Sequence, residues 1–206
     1  MLGVDPGLTR CGLGCVDIDP RRRARLVEVG VVRTPPSQSP ELRLLAIFEA
    51  LEDWIARLGP TAVSVERVFA QDNLRSVIGV AQVMGVVMVA GARAGLEVAQ
   101  HTPSEAKAAV TGSGTASKSQ VQAMVQRILG LAEPPRPADA ADAVAQAICH
   151  GWRGGGTGVD GATEMVSAGG SVRASARTPA QQRWAAAQAA ARRTGAVDPR
   201  YRRRAP

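Results

Sequence analysis

Residues 2–14 read Leu2-Gly3-Val4-Asp5-Pro6-Gly7-Leu8-Thr9-Arg10-Cys11-Gly12-Leu13-Gly14, and this stretch decides how the chain begins. Leu2-Gly3-Val4 is a short apolar strand ending in Asp5. Pro6-Gly7 is a turn pair, because proline presets its backbone and glycine tolerates conformations that other residues avoid. Residues 12–17 resume an extended run, and residues 26–32 add another after the charged turn 19–25. Three short strands thus occupy residues 1–34.

The pattern then changes period. Pro40 opens a helix in which Leu44, Phe48, Leu51, Ile55 and Leu58 recur at steps of three and four, and Gly59-Pro60 stops it. Residues 62–65 form a short apolar strand ending in Glu66. Residues 74–94 predict a long, nearly all-apolar helix, which implies burial on more than one side. Gly79, Gly85 and Gly91 along it allow close approach of a neighbour, in the core or at a subunit interface. Residues 97–101 are strand-like, and Thr102-Pro103 starts a helix through Val110. The loop Thr111-Gly-Ser-Gly-Thr115 precedes a helix from Ser117 to Leu129, and Pro137 begins a last one to His150. This order predicts an α/β domain over residues 1–153, one mixed sheet with helices on both faces.

Composition excludes several classes. The 206 residues are 45% hydrophobic but only 3% aromatic, so aliphatic side chains build the core. Cys11, Cys15 and Cys149 are an odd number without a CxxC or a Cys/His cluster, which argues against a disulfide scaffold or structural zinc. The N-terminus lacks the basic and apolar regions of a secretory leader. The longest apolar stretch, residues 77–92, is interrupted by Gln82 and falls short of the ~20 residues a membrane span needs. A soluble, cytoplasmic protein is expected. Net charge is +7, but residues 1–153 carry 16 basic against 15 acidic side chains, and residues 154–206 carry 9 against 3. The basic excess therefore belongs to the tail. That Gly/Ala/Arg-rich tail reads as a linker or disordered segment, with residues 179–193 the one stretch compatible with a helix. It either adds sequence-independent DNA affinity through counterion release or has no consequence.

Four acids stand out. Asp5 and Glu66 directly follow apolar strand residues, where a carboxylate is costly unless it binds something. Asp139 and Asp142 lie three apart on one face of a helix start. Each alone has an ordinary structural explanation in turns and first helical turns; together they suit magnesium, a hard cation that takes oxygen ligands. Two such ions ~3.5–4 Å apart activate water and stabilise the leaving oxygen of a phosphodiester. His101 and His150 show no partner pattern and read as surface or capping residues. Lys107 and Lys118 are the chain's only lysines and flank the Gly/Ser loop. Each is either a solvated lysine or a ligand for a phosphate oxygen. Phe69 is either a core residue or a platform on which an unpaired base stacks. Arg10, Arg67, Asn73 and Arg75 are candidates for backbone phosphate contacts.

Residues 2–14, Val65-Glu-Arg-Val-Phe-Ala-Gln71, Ser117-Lys-Ser-Gln120, Pro137-Ala-Asp-Ala-Ala-Asp-Ala143 and Ala147-Ile-Cys-His150 resemble the RuvC-type Holliday junction resolvases of bacteria, in the family's order over residues 1–153. The resemblance implies a ribonuclease-H-like fold and a homodimer that cuts two opposed strands of a four-way DNA junction, leaving 5′-phosphate and 3′-hydroxyl ends. It implies Asp5, Glu66, Asp139 and Asp142 as catalytic ligands of two Mg²⁺ per subunit, with Mn²⁺ as a substitute. It strengthens the reading of Lys107 and Lys118 as phosphate contacts and further implies a preference for thymine-containing sites, RuvA and RuvB as partners in recombination and repair, and a nucleoid-associated location. The tail has no counterpart in the part of the family so recognised. A twofold dimer places one site on each cut strand, and the helix 74–94 is its expected interface, with Val87 or Met84 as positions where a charge gives monomers. Three alternatives stay open: an actin-like ATPase, whose first phosphate loop also reads Asp-x-Gly-x-Thr; a monomeric ribonuclease-H-like RNA nuclease; and a catalytically silent junction binder.

Overall fold

A computed structural model describes residues 1–67 and 74–153, with side chains described from residue 77 in the second stretch. Phe69, Asn73, the Arg75 side chain and the tail 154–206 lie outside the described residues. The strands β1 (Leu2–Asp5), β2 (Arg10–Ile18), β3 (Ala24–Arg33), β4 (Ala62–Glu66) and β5 (Glu97–His101) form one sheet in the order β3-β2-β1-β4-β5. The β3-β2-β1 half is antiparallel, and β1-β4-β5 is parallel. The helices are α1 (Pro40–Leu58), α2 (Leu74–Arg93), α3 (Pro103–Thr111), α4 (Lys118–Leu129) and α5 (Ala138–Arg153). The expected mixed sheet with helices on both faces is the one observed.

Strand alternation sorts the side chains. Leu2, Val4, Cys11, Leu13, Cys15, Val63 and Val65 form one buried cluster with Ile47 and Leu51 of α1 and Val83, Val87 and Ala90 of α2. Val16 joins Val110, Val121, Val125, Val144 and Ile148 of α3, α4 and α5 on the opposite face. The residues between them in β1 and β2 on that second face are glycines. An added Cβ at Gly3 would lie 1.9 Å from the Ala143 carbonyl oxygen, at Gly12 2.2 Å from that of Asp139, and at Gly14 2.6 Å from Val144. Helix α5 therefore packs directly on strand backbone.

Helix ends follow local chemistry. Gly59 closes α1 in the left-handed conformation. Reciprocal capping boxes open α3 (Thr102 with Glu105) and α4 (Ser117 with Gln120), fixing where each begins. Helix α2 corrects one expectation. Val87 is fully buried against the sheet, so a charge there attacks the core and does not test a subunit interface. The large apolar residues that α2 exposes among those described are Ile78, Met88 and Val89, at 58%, 45% and 59%. Gly91 serves intrachain packing, since a Cβ there would meet Val98 at 2.4 Å. All three cysteines are buried and free, as their number and spacing suggest, and burial pushes the Cys11 thiol up to about 12.

Gly3→Ala should destabilise the fold by about 1–3 kcal/mol or more, because the backbone of α5 has nowhere to move without opening the site. Urea unfolding checks this, and an unchanged midpoint would show that α5 can lift off β1 freely.

Candidate active site

Alternation also places the acids. Asp5 follows Gly3 on the α5 side of β1, and Glu66 follows Ser64 on the same side of the neighbouring, parallel β4. Gly12, the cross-strand partner of Asp5, lies under the Asp139 carbonyl at the start of α5. Asp142 is one turn further on. Asp5, Glu66, Asp142, Lys107, Lys118 and Gln146 line a cleft of about 220 Å³. The structure thus brings together two strand acids, one helix acid and both lysines, with Asp139 close enough for its charge to act on Asp5.

The crowding of like charges is visible in the acids themselves. Burial and the charges of Glu66, Asp142 and Asp139 push the Asp5 carboxyl up to about 7, and only Lys118 opposes them. Burial and Asp142 likewise raise Glu66, against Lys118, a hydrogen bond from the Gln146 side chain, and Lys107. Two acids have cationic partners: Arg10 Nε stands 2.6 Å from Asp139 Oδ2, and Lys118 Nζ stands 3.1 Å from Asp142 Oδ2. The Lys118 side chain is 72% exposed, so its pair is of the readily exchanged surface kind. Among the described residues, no group of three His, Cys, Asp or Glu stands ready-made around a metal position. The donor set nevertheless fits a hard divalent cation: all oxygen, anionic, half-buried, and so short of positive charge that Asp5 retains its proton near neutrality.

The turn after Asp5 has its own support. Arg43, buried on α1, donates from Nε to Thr34 Oγ1 at 2.9 Å and from an Nη to Thr9 Oγ1 at 2.7 Å, while the Thr34 hydroxyl donates to the Leu8 carbonyl. The loop Pro6–Arg10 is thereby tied to β3 and α1, which holds Arg10 where it meets Asp139. Arg67 follows Glu66, and its backbone N–H donates to the His101 carbonyl at 2.7 Å. Lys107 sits on α3 with its carbonyl accepting from Thr111, and Lys118 is the first residue of α4, set by the Ser117 cap.

The histidines depart from expectation. His150 is buried, and its Nδ1 lies 3.3 Å from Nε2 of His101 across the α5–β5 contact. Burial, first of all, holds both below the ordinary imidazole range. Arg43, Gln146 and this pair are residues that the sequence did not single out. For two of them a signal exists: Asp142, Gln146 and His150 recur every four residues, a polar stripe in an otherwise Ala/Val/Ile helix. For Arg43 the only signal is its spacing from Ile47 and Leu51, the other buried positions of α1.

Residues 1–150 match the family model described as Crossover junction endodeoxyribonuclease RuvC. A relative of that name from Leifsonia xyli subsp. xyli (strain CTCB07) is 55% identical over 204 residues, 98% of this chain and 98% of its own. Another from Parafrankia sp. (strain EAN1pec) is 61% identical over 154 residues, 75% of this chain and 86% of its own. The Leifsonia alignment takes in the basic tail as well. The solved structure of T. thermophilus RuvC in complex with Holliday junction substrate superposes with a TM-score of 0.70 at 38% identity, over 74% of this chain and 92% of that one. With the sequence matched almost from end to end and the ribonuclease-H-like fold shared with that solved relative, the chain belongs to the RuvC family of crossover junction endodeoxyribonucleases.

Proposed function

We propose that the acid-lined cleft cuts four-way DNA, and that Asp5, Glu66, Asp139 and Asp142 hold the divalent cations of that reaction. The chain is a Holliday junction resolvase, an endonuclease. The observation that carries the metal assignment is the convergence of Asp5, Glu66 and Asp142 on one cleft with Asp139 at the helix start above Gly12; the Asp5 carboxyl, pushed up to about 7, is its electrostatic consequence. A site with that excess of negative charge cannot face a phosphodiester until cations neutralise it. When bound there, Mg²⁺ or Mn²⁺ supplies charge neutralisation at the scissile phosphate and lowers the pKa of water.

The chain's own groups then divide the remaining work. Lys107 and Lys118 present ammonium groups at the cleft, where they meet nonbridging phosphate oxygens and counter the charge that develops on them. Arg10 and Lys118 steady Asp139 and Asp142 through exposed pairs and exchange them for backbone phosphates when DNA arrives. Arg43 keeps the turn bearing Arg10 in register. Phe69 as a stacking platform and Asn73 and Arg75 as backbone phosphate contacts rest on residue type and sequence position alone. The family resemblance extends the proposal to two ions per subunit, 5′-phosphate and 3′-hydroxyl products, RuvA and RuvB as partners, a nucleoid-associated location, and a division into a nuclease domain over 1–153 and a basic tail over 154–206. No helix among the described residues is long and apolar enough to cross a membrane. Homodimerisation through α2 is supported by the exposed apolar row Ile78, Met88 and Val89.

Three outcomes are expected. On a synthetic mobile four-way junction with Mg²⁺, the wild type makes paired symmetric nicks and spares matching linear duplex, and Asp5→Asn lowers the rate on the order of 10²–10³-fold. Undiminished cutting by that variant would remove Asp5 from the site. The second concerns stability without metal. The folded carboxyl of Asp5 titrates near 7 against 3.8 for the ordinary group, so its contribution to stability is complete below about pH 4 and is lost as pH rises through 7. In EDTA, stability, and the melting temperature with it, should therefore fall between about pH 4 and 7 and level off above, with a slope of at most ~1.4 kcal/mol of stability per pH unit from this proton. Asp5→Asn should flatten that slope, and Mg²⁺ should raise the melting temperature more at pH 8 than at pH 5; superimposable wild-type and variant curves would refute the crowding. Third, Val89→Glu should yield folded monomers by analytical ultracentrifugation that nick junctions singly. A dimer of undiminished stability would place the interface elsewhere.

A further inference from the structure

Helix α5 buries Ala140, Ala141, Ala143, Val144, Ala145, Ala147, Ile148 and Cys149 against the sheet, and among these sits Gln146, 2% exposed. A primary amide in such company is costly unless its groups are used. Its two ends have different fates. The side chain hydrogen-bonds to Glu66, and since an ionised carboxylate only accepts, the donor is Gln146 Nε2. Its Oε1 is buried with no partner among the described residues. The backbone carbonyl of the same residue accepts from Ser64 Oγ at 3.2 Å, one alternation back from Glu66 on β4. Gln146 also lies one helical turn beyond Asp142, and both line the cleft with Asp5 and Glu66.

We propose that Gln146 is a positioning residue of the resolvase site: its amide aims the Glu66 carboxylate into the cleft and fixes β4 against the helix that carries Asp139 and Asp142. The inference rests on the four-acid site proposed above and deepens it. Gln146 is the neutral side chain that bonds Glu66 among the described residues, and without it repulsion from Asp142, which already acts on Glu66, turns the carboxylate away from the other acids. Groups that orient metal-binding carboxylates affect metal affinity and turnover without touching the substrate, and this separates positioning from DNA binding. Ser64 supplies the comparison, because its hydroxyl holds Gln146 through the main chain only.

The test uses the full-length protein and four proteins side by side: wild type, Gln146→Met, Ser64→Ala and Glu66→Gln. Methionine keeps the length and volume of the side chain but neither donates nor leaves a buried amide oxygen. Calorimetric titration of the DNA-free protein with Mn²⁺ should show about 10–100-fold weaker binding for Gln146→Met. Its kcat on a four-way junction should fall by a similar factor, with KM and junction binding in EDTA unchanged. Its melting temperature should equal or exceed that of the wild type, because an unsatisfied buried oxygen has gone. Ser64→Ala should keep wild-type Mn²⁺ affinity and kcat. Wild-type affinity and rate in Gln146→Met, a loss of its fold, or equal defects in Ser64→Ala would each overturn the positioning role. Glu66→Gln separates the two levels. If it is inactive while Gln146→Met is normal, only the present inference fails; if it cuts normally, the four-acid site fails and takes the inference with it.

Discussion

The contact on which the rest depends is that of α5 with the bare backbone of β1 and β2. Carbonyl oxygens of Ala143 and Asp139 come so near Gly3 and Gly12 that no side chain fits between them. A helix resting on larger residues would ride several ångströms higher, since interlayer distance is set by the side chains at the contact. At the observed height the first turn of α5 reaches down to the ends of β1 and β4. Two acids from separate strands and Asp142 from the helix then share one cleft, with Asp139 at the helix start above Gly12.

Such an arrangement stores unfavourable electrostatics in a stable frame. The apolar clusters on the two faces of the sheet run up to the acids, with Val4 and Val65 directly before Asp5 and Glu66 and Val121 in the cleft wall, and they supply the stability that a crowded carboxylate site consumes. The chain mitigates the crowding with exposed cations. Arg10 and Lys118 each pair with a helix acid, yet the strand acids, deeper in the cleft, keep raised affinities for protons. The surface pairs are of the readily exchanged kind, whereas the inner acids remain short of positive charge, which is what the proposed cation site draws on.

Much of this was legible in the chain. Gly59 after the periodic run of α1, the Thr102/Glu105 and Ser117/Gln120 boxes, and the Pro6-Gly7 turn are local signals, and they set element ends within a residue or two of where the folded chain has them. The acids were legible for a similar reason, since carboxylates directly after Val4 and Val65 violate the apolar pattern in plain sight. The outward face of α2 was not. A helix apolar all round carries no periodic contrast, and only the packed sheet shows that Val83 and Val87 turn inward while Met88 and Val89 face out.

The sequence by itself determined the order and type of the elements, the alternation that puts Asp5 and Glu66 on one side of the sheet, and the family. These rest on nearest-neighbour chemistry and on period, which a linear chain displays. Tertiary structure alone decided the partners. Arg43 with Thr9 and Thr34, His101 with His150 and Gln146 with Glu66 join residues far apart in the chain. The antiparallel β1-β2-β3 half with α1 against it makes the first link, and the parallel pairing of β1, β4 and β5 with the close seating of α5 makes the other two; no local propensity encodes such meetings.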